Sequence, residues 1–422
     1  MARLIAPPAL KHKPFRSYLA GAFVSNVGNS IQAWAIAWQV FAITGSSLMV
    51  GLLGIARVVP LLLFSLFGGV LADRADRRKV MMFTQSAMAI VSLILLVWTL
   101  RGMSSVAPLY ALVAINAIAR SFDGPARQAL QVGLVPREDY PNAASINGVT
   151  WRLSDVLGPI LTGALIAIPE HGLTLCYAFN LVSFLALLIV IIRLPSVQPP
   201  DLGDHPKNIR EVLALVKEGL QFVNRTPVVR SAMWIDFWAT LLSGAEALLP
   251  AFAAVVLGLG PEGYGYLAAS TGFGALIAAL GLSLRPTVIR QGRTVILMIG
   301  AFGLFTIGFG LSTNLLTACL CLMGVGAADM ISTVMRQTIR QLATPDELRG
   351  RMTATSSLFH ISGPQLGDFE AGAVAHWWGE RVSIVLGGGL CLFVAAHWSR
   401  AKALAEYTHS PELVRPSESA PG

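Results

Sequence analysis

Apolar stretches long enough to cross a bilayer recur along the whole chain, separated by short connections that hold nearly all of its charge. A hydrocarbon core about 30 Å thick takes roughly 20 helical residues to cross. Backbone polar groups in lipid must be satisfied within their own segment, so such stretches fold as helices. Six predicted spans run from Phe15 to Phe41, Ser47 to Ala72, Val80 to Leu100, Val106 to Arg127, Asn142 to Ile168 and Leu173 to Ile192. Six more run from Val228 to Leu257, Tyr264 to Leu284, Thr294 to Leu311, Leu315 to Leu342, Arg351 to Ala375 and Val382 to Trp398. With 54% hydrophobic residues, 13% charged and a mean hydropathy of +0.64, a soluble globule is excluded. The expected fold class is an all-α polytopic membrane protein with twelve transmembrane helices.

A net charge of +8 would by itself fit nucleic-acid binding, so the placement of the bases decides. They cluster in alternate connections: Lys11 to Arg16, Arg74 to Lys79, Arg127 and Arg137, Arg193 to Arg230, Arg285 to Arg293, Arg336 to Arg351, and Arg400 with Lys402. The intervening connections hold only Arg101 and Arg381. That asymmetry is the positive-inside pattern, which puts both termini in the cytoplasm and leaves no nucleic-acid partner expected. The basic N-terminus leads into a full-length span containing Asn26, Gly28, Asn29 and Gln32, unlike a cleaved signal, so the first helix is expected to insert and stay. Cys176, Cys319, Cys321 and Cys391 lie in apolar runs without C-x-x-C spacing and read as packing residues; no metal or cofactor is expected.

The expected domains are a first six-helix half (residues 1–193), a linker (194–226), a second half (227–400) and a cytoplasmic tail (401–422). The linker opens with Pro195, Pro199, Pro200 and Pro206. Ile209, Val212, Leu213, Val216, Leu220 and Val223 then recur at helical spacing, with Arg210, Lys217 and Arg225 available to headgroups. That pattern predicts an amphipathic helix on the inner membrane surface, in contact with lipid. An ungapped internal repeat relates the halves at an offset of 209: Arg127-Gln128 recurs as Arg336-Gln337, Pro136 as Pro345, Glu138 as Glu347, Gly158 as Gly367, and Gly163-Ala164 as Gly372-Ala373. The halves should therefore be parallel and pseudo-symmetric, with a substrate site between them at mid-membrane depth.

Ionisable side chains inside spans are costly unless they face a cavity or a partner, which makes each one a candidate. Span 4 holds Arg120 and Asp123, span 5 Arg152 and Asp155, span 7 Asp236 and Glu246, and span 11 His360, Asp368 and Glu370. The repeat puts Asp329 of span 10 at the position of Arg120, so the two are expected to form oppositely charged walls of one aqueous cavity. A lipid-facing side chain at either position would refute that. Asp236 lies roughly 9 Å along a helix from Arg230, within reach of the inner interface; Glu246 is deeper and is the preferred proton-titrating or substrate-facing acid. Arg57 of span 2 has no local acid and needs a partner across the bundle. Trp234, Phe237 and Trp238 read as packing residues and Trp377 with Trp378 as an outer interfacial belt. Gly258-Leu-Gly260-Pro-Glu-Gly263 fits a dinucleotide fingerprint in spacing only, because no strand precedes it. Asn224-Arg-Thr226 fits a glycosylation acceptor but falls on the cytoplasmic side.

Between spans 2 and 3, Gly69-Val-Leu-Ala-Asp73-Arg74-Ala-Asp76-Arg77-Arg78-Lys79 reads as G-x-x-x-D-R-x-x-R-R. It resembles the corresponding loop of the major facilitator superfamily of secondary transporters, with Asp76 where the family usually has glycine. The resemblance implies that Asp73 ties the end of span 2 to the start of span 11, in a cytoplasmic latch with Gly69, Arg74, Arg77, Arg78 and Arg127; the bases alone imply only a solvated loop. Arg120-Ser-Phe-Asp123-Gly124 partly resembles the family's R-x-x-q-G motif, implying a proton relay. A plain i, i+3 pair between Arg120 and Asp123 explains the residues equally well. Gly158-Pro159-Ile-Leu-Thr162-Gly163 resembles the g-x-x-x-G-P-x-x-G-G motif of antiporters, with Ser154 and Thr162 replacing two glycines. Small residues there allow close helix approach and the proline a bend, while the export direction comes from the resemblance alone.

Ser25-Asn-Val-Gly28, Leu71-Ala-Asp73-Arg74 and Tyr264-Gly-Tyr-Leu look like the branch of the superfamily that holds enterobactin-export and macrolide-efflux proteins. That branch implies proton-coupled export of a bulky amphipathic small molecule, such as a siderophore, macrolide or drug-like compound, across the bacterial inner membrane by alternating access. An uptake symporter on the same scaffold is the alternative, and a membrane enzyme or sensor the different-class one. No phosphate-binding loop or catalytic constellation is present, so an enzyme is not expected and the energy must come from a gradient. A monomer is compatible with this reading.

Overall fold

A computed structural model describes residues 7–194, 209–284, 288–345 and 348–408. Within these, the side chains of residues 66, 68–74, 132, 209–210, 212–213, 215–216, 349–351, 353–354, 357–358 and 361 lie outside the described set. The expected latch contact of Gly69, Asp73 and Arg74, most of the linker's apolar stripe and the end of the tail therefore lie outside the described residues.

The first half is built from α1 (Lys13–Thr44), α2 (Ser47–Arg74), α3 (Arg77–Leu100), α4 (Ala107–Val132), α5 (Tyr140–Ile166) and α6 (Gly172–Arg193). The amphipathic α7 (Ile209–Arg225) leads to α8 (Pro227–Leu241), the short α9 (Leu249–Ala251), α10 (Pro261–Ser283), α11 (Gln291–Leu311), α12 (Leu315–Ala343), α13 (Arg349–Trp378), α14 (Glu380–Ser399) and α15 (Lys402–Ala405). The helix ends follow local chemistry. Pro14 sits in the first turn of α1, where its missing N–H costs nothing, and Gly45 closes the helix at φ 61° with its N–H donating to the Phe41 carbonyl at 2.7 Å. Asp76, the departure from the family's glycine, is the N-cap of α3, accepting from the Arg78 backbone N–H at 2.9 Å.

Among the described residues, eight helical segments are long and apolar enough to cross a membrane by length and composition alone. Polar side chains interrupt three other long helices, α1, α4 and α5, and α1 and α4 turn many of these inward: Asn26, Gln32, Gln39, Asp123 and Arg127 are all buried. Buried Gln32 accepts from Ser92 of α3 at 2.7 Å and from Asn180 of α6 at 2.9 Å.

Packing repeats from half to half. α2 packs on α4 as α10 packs on α12, and α3 on α6 as α11 on α14. Across the midline, α2 packs on α13 and α5 on α10, a pair of contacts that exchange under the pseudo-two-fold. Span 7 departs from the expected continuous helix. α8 stops at Leu241, and the chain resumes as a 3-10 turn at Glu246–Leu248, then α9, then a π turn at Phe252–Val256. Pro250 lacks a backbone donor, and the Gly244 backbone abuts that of Gly367 in α13, where a Cβ would have no room. The break lets the two helices touch.

Candidate functional site

Two adjoining cavities lie in the bundle. One, of about 390 Å³, is lined by Ser30 and Trp34 of α1, Arg57 of α2, Arg152 and Asp155 of α5, Glu246, Asp329 of α12 and Asp368 of α13. The other, of about 480 Å³, lies mainly in the first half, between Asn29 and Gln32 of α1, Arg57, Asn116 and Arg120 of α4, Trp151 of α5 and Gln365 of α13. Ala33 and Arg57 line both. A small third cavity, of about 90 Å³, continues from Arg120 past Asp123 to Arg127. Arg120 and Asp329 thus both face cavities, in adjoining chambers rather than in a single one. Arg152 and Asp155 face each other across one turn at 3.9 Å, each about half exposed to the cavity.

The cavities are closed at the end of the bundle away from the chain termini. Gly163 of α5 meets Gly265 of α10 so closely that a Cβ on either would lie 2.6 Å from the other's Cα. Gly158 abuts the Ser30 side chain of α1, and the Pro159 carbonyl lies against Gly265. The antiporter-like motif therefore sits on the contact between halves. Gly51 and Gly54 of α2 admit the backbone of Gln365 and Asp368 in the same way. Tyr264 donates its hydroxyl to the Trp34 carbonyl at 3.0 Å and stacks obliquely on Trp38, ring centres 5.2 Å apart; Ser47 donates to Glu380 at 2.9 Å.

Nearer the termini, each half buries an arginine on its fourth span, Arg127 on α4 and Arg336 on α12. Arg127 Nε contacts Asp123 at 3.0 Å and its Nη1 donates to Asn26 of α1 at 3.3 Å, while Thr84 and Gln85 of α3 donate to the same carboxylate at 2.9 and 2.8 Å. The acid expected opposite Arg120 at i, i+3 belongs instead to Arg127 at i+4, because α3 presents two donors that turn the carboxylate that way. Arg127 itself, expected in the latch, is engaged inside the first half. So are its loop neighbours: Arg77 donates to the Ala129 carbonyl at 3.0 Å and Arg78 to that of Ile192.

The repeat partner Arg336, 2% exposed, lies 2.7 Å from Asp236 of α8 and 3.6 Å from Asp329, and donates to Ser332 and Thr333 at 2.7 and 2.9 Å. His360 of α13 stands 3.6 Å from the other Asp236 oxygen. Sequence reasoning singled out Asp236 without its partner. The signal was present, since Arg127-Gln128 and Arg336-Gln337 open the repeat.

The profile of the transmembrane secretion effector family matches residues 5–414. The chain is 27% identical to the enterobactin exporter EntS of Escherichia coli O1:K1 over 358 residues, 84% of each chain, and 28% identical to that of Citrobacter koseri over 368 residues, again 84% of each. Among solved structures, a bacterial homolog of the human lysosomal transporter Spinster, inward-facing and unoccupied, superposes with a TM-score of 0.71 at 17% identity, covering 94% of this chain and 99% of that one. The nucleoside transporter NupG gives 0.68 at 11% identity, covering 92% and 99%. These likenesses fix the fold, and the family match fixes the kin: the chain is a major facilitator superfamily secondary transporter belonging to the transmembrane secretion effector family.

Proposed function

We propose that the protein exports a bulky amphipathic small molecule across the bacterial inner membrane by proton-coupled alternating access, with both termini in the cytoplasm. The observation that carries this reading is the cavity between the halves, lined by Asp155, Glu246, Asp329 and Asp368 with Arg57 and Arg152, and closed at the end away from the termini. Cargo enters from the cytoplasm in this arrangement. The halves, residues 1–193 and 227–400, then rock about the α2–α13 and α5–α10 contacts to open the other end. Glu246 titrates beside the break in span 7, where a change of charge acts on a segment already short of helical hydrogen bonds. The name of the E. coli relative, an exporter, supports the direction and a siderophore-like cargo.

The test is internal pH in proteoliposomes on addition of siderophores, macrolides and dyes, with labelled compound followed in parallel. Compound-dependent proton movement in the wild type, lost in Glu246→Gln and slowed in Asp73→Asn, is the expected result. Labelled compound that crosses with no proton movement removes the coupling assignment. Cells lacking the protein should retain its cargo; failure to acquire it instead marks an uptake symporter.

A further inference from the structure

The two adjoining cavities differ in charge. The smaller sets four carboxylates against Arg57 and Arg152, whereas the larger, among the described residues, is lined by Arg57 and Arg120 and by no acid. Among the described residues neither guanidinium has a carboxylate within 4.0 Å. Arg57 reaches only the Ala33 carbonyl, at 3.5 Å. Asp123, the acid nearest Arg120 in sequence, is committed to Arg127, Thr84 and Gln85. In the same lining, the buried Asn116 Nδ2 and Gln365 Oε1 each have no hydrogen-bond partner. The remaining walls are largely apolar, including Leu61, Val91, Leu95 and Trp151.

Two like charges facing one chamber within a membrane bundle are unfavourable until something neutralises them, and an unsatisfied buried donor adds to that cost. An anionic headgroup removes both penalties. The planar guanidinium fork suits carboxylate, sulfonate, phosphate or ionised phenol oxygens. We propose that this chamber is an anion subsite. Arg57 and Arg120 grip the acidic group of an amphipathic substrate, Asn116 donates to it, and the apolar body lies against Leu61, Leu95 and Trp151. The inference names the substrate class for the transporter reading above and rests on it only in calling the ligand a cargo.

The test is binding by the full chain in nanodiscs, measured by calorimetry against empty discs, of three probes with one apolar body: 2-naphthalenesulfonate, 2-naphthylmethylammonium and 2-naphthylmethanol. The sulfonate should bind at least about tenfold more tightly than either other probe, since hydrogen bonds to charged groups carry the difference. Arg120→Gln and Arg57→Gln should each lose about tenfold or more for the sulfonate alone, and Leu61→Trp, which fills the chamber without touching its charge, should weaken all bound probes. Equal binding of the three probes overturns the subsite. So does wild-type sulfonate affinity in an Arg120→Gln protein with an unchanged thermal midpoint. Should Arg57→Gln not fold, Arg120→Gln and Leu61→Trp decide. Sulfonate selectivity without transport in liposomes keeps the subsite and removes the exporter reading; transport of neutral or cationic cargo without sulfonate selectivity does the reverse.

Discussion

Asp236→Asn replaces a buried carboxylate by an amide of the same shape, so its effect isolates the charge. Arg336 is 2% exposed at the side chain and Asp236 8%, and they stand 2.7 Å apart, so neither charge has solvent to fall back on. Removing one member of a buried pair costs about 3–5 kcal/mol, because the other is left uncompensated. Asp329 remains 3.6 Å from Arg336 but is 46% exposed, so it offsets only part of that, and the lower end, about 3 kcal/mol, is expected. At about 2–4 °C per kcal/mol for a unit of this size, the thermal midpoint should fall by roughly 6–12 °C. A thiol-reactive dye reads this directly, because Cys391 of the same half is 0% exposed and becomes labelled when the helices separate; Cys176→Ser removes the buried reporter of the first half. Asp236→Asn/Arg336→Gln, which leaves no buried orphan charge and only the half-exposed Asp329 without its partner, should recover part of the loss. A single variant that melts within about 2 °C of the wild type would refute the buried-pair reasoning. So would a double variant as unstable as the single one.

In the first half, Asp123→Asn leaves Arg127 with Asn26 and no second acid, so its midpoint should fall further than that of Asp236→Asn, as judged by the same dye with Cys176 retained. At the seal, a Cβ on Gly163 lies 2.6 Å from the Gly265 Cα, so Gly163→Val must push α5 from α10. Ala37→Cys in a cysteine-free background, which lines the acidic cavity, should then react faster with an impermeant maleimide added from the side away from the termini; an unchanged rate counts against the seal. Asp76→Ala should destabilise by about 1 kcal/mol through loss of the α3 cap while Asp76→Asn keeps it, which thermal unfolding of the two separates.

The succession of long helices was legible because length and apolarity are local properties, and the polar α1, α4, α5 and α13 also lie where long helices were expected. The break in span 7 was not. Ser243, Gly244 and Pro250 are all tolerated inside membrane helices, and what ends α8 is the approach of Gly367, a contact from another helix. The partner of Asp123 was misjudged for a related reason. A helix places Arg120 and Arg127 about equally near it, and Thr84 and Gln85 on α3 decide. Arg57 was correctly left without a local acid, but that its two cavities differ in charge depends on how α2, α4 and α13 converge.

The repeat also explains an asymmetry that neither half shows alone. The two buried arginines related by the repeat each reach from the fourth span of their half to the first: Arg127 to Asn26 of α1, Arg336 to Asp236 of α8. The carboxylate has changed helix. In the first half it is Asp123, on the arginine's own helix, and its repeat position is Ser332; in the second it is Asp236, across the interface. Charge therefore closes on itself within α4 but ties α8 to α12, with His360 of α13 beside the same carboxylate. α8 is the helix whose continuation is broken at Gly244, so a continuous backbone does not transmit position from Glu246 to the other end of the span. A broken helix keeps its register only if the remaining part is held from the side, and a buried ion pair is a directional way to hold it. The break thus separates the segment bearing Glu246 from α8, while the Arg336–Asp236 pair keeps α8 with α12.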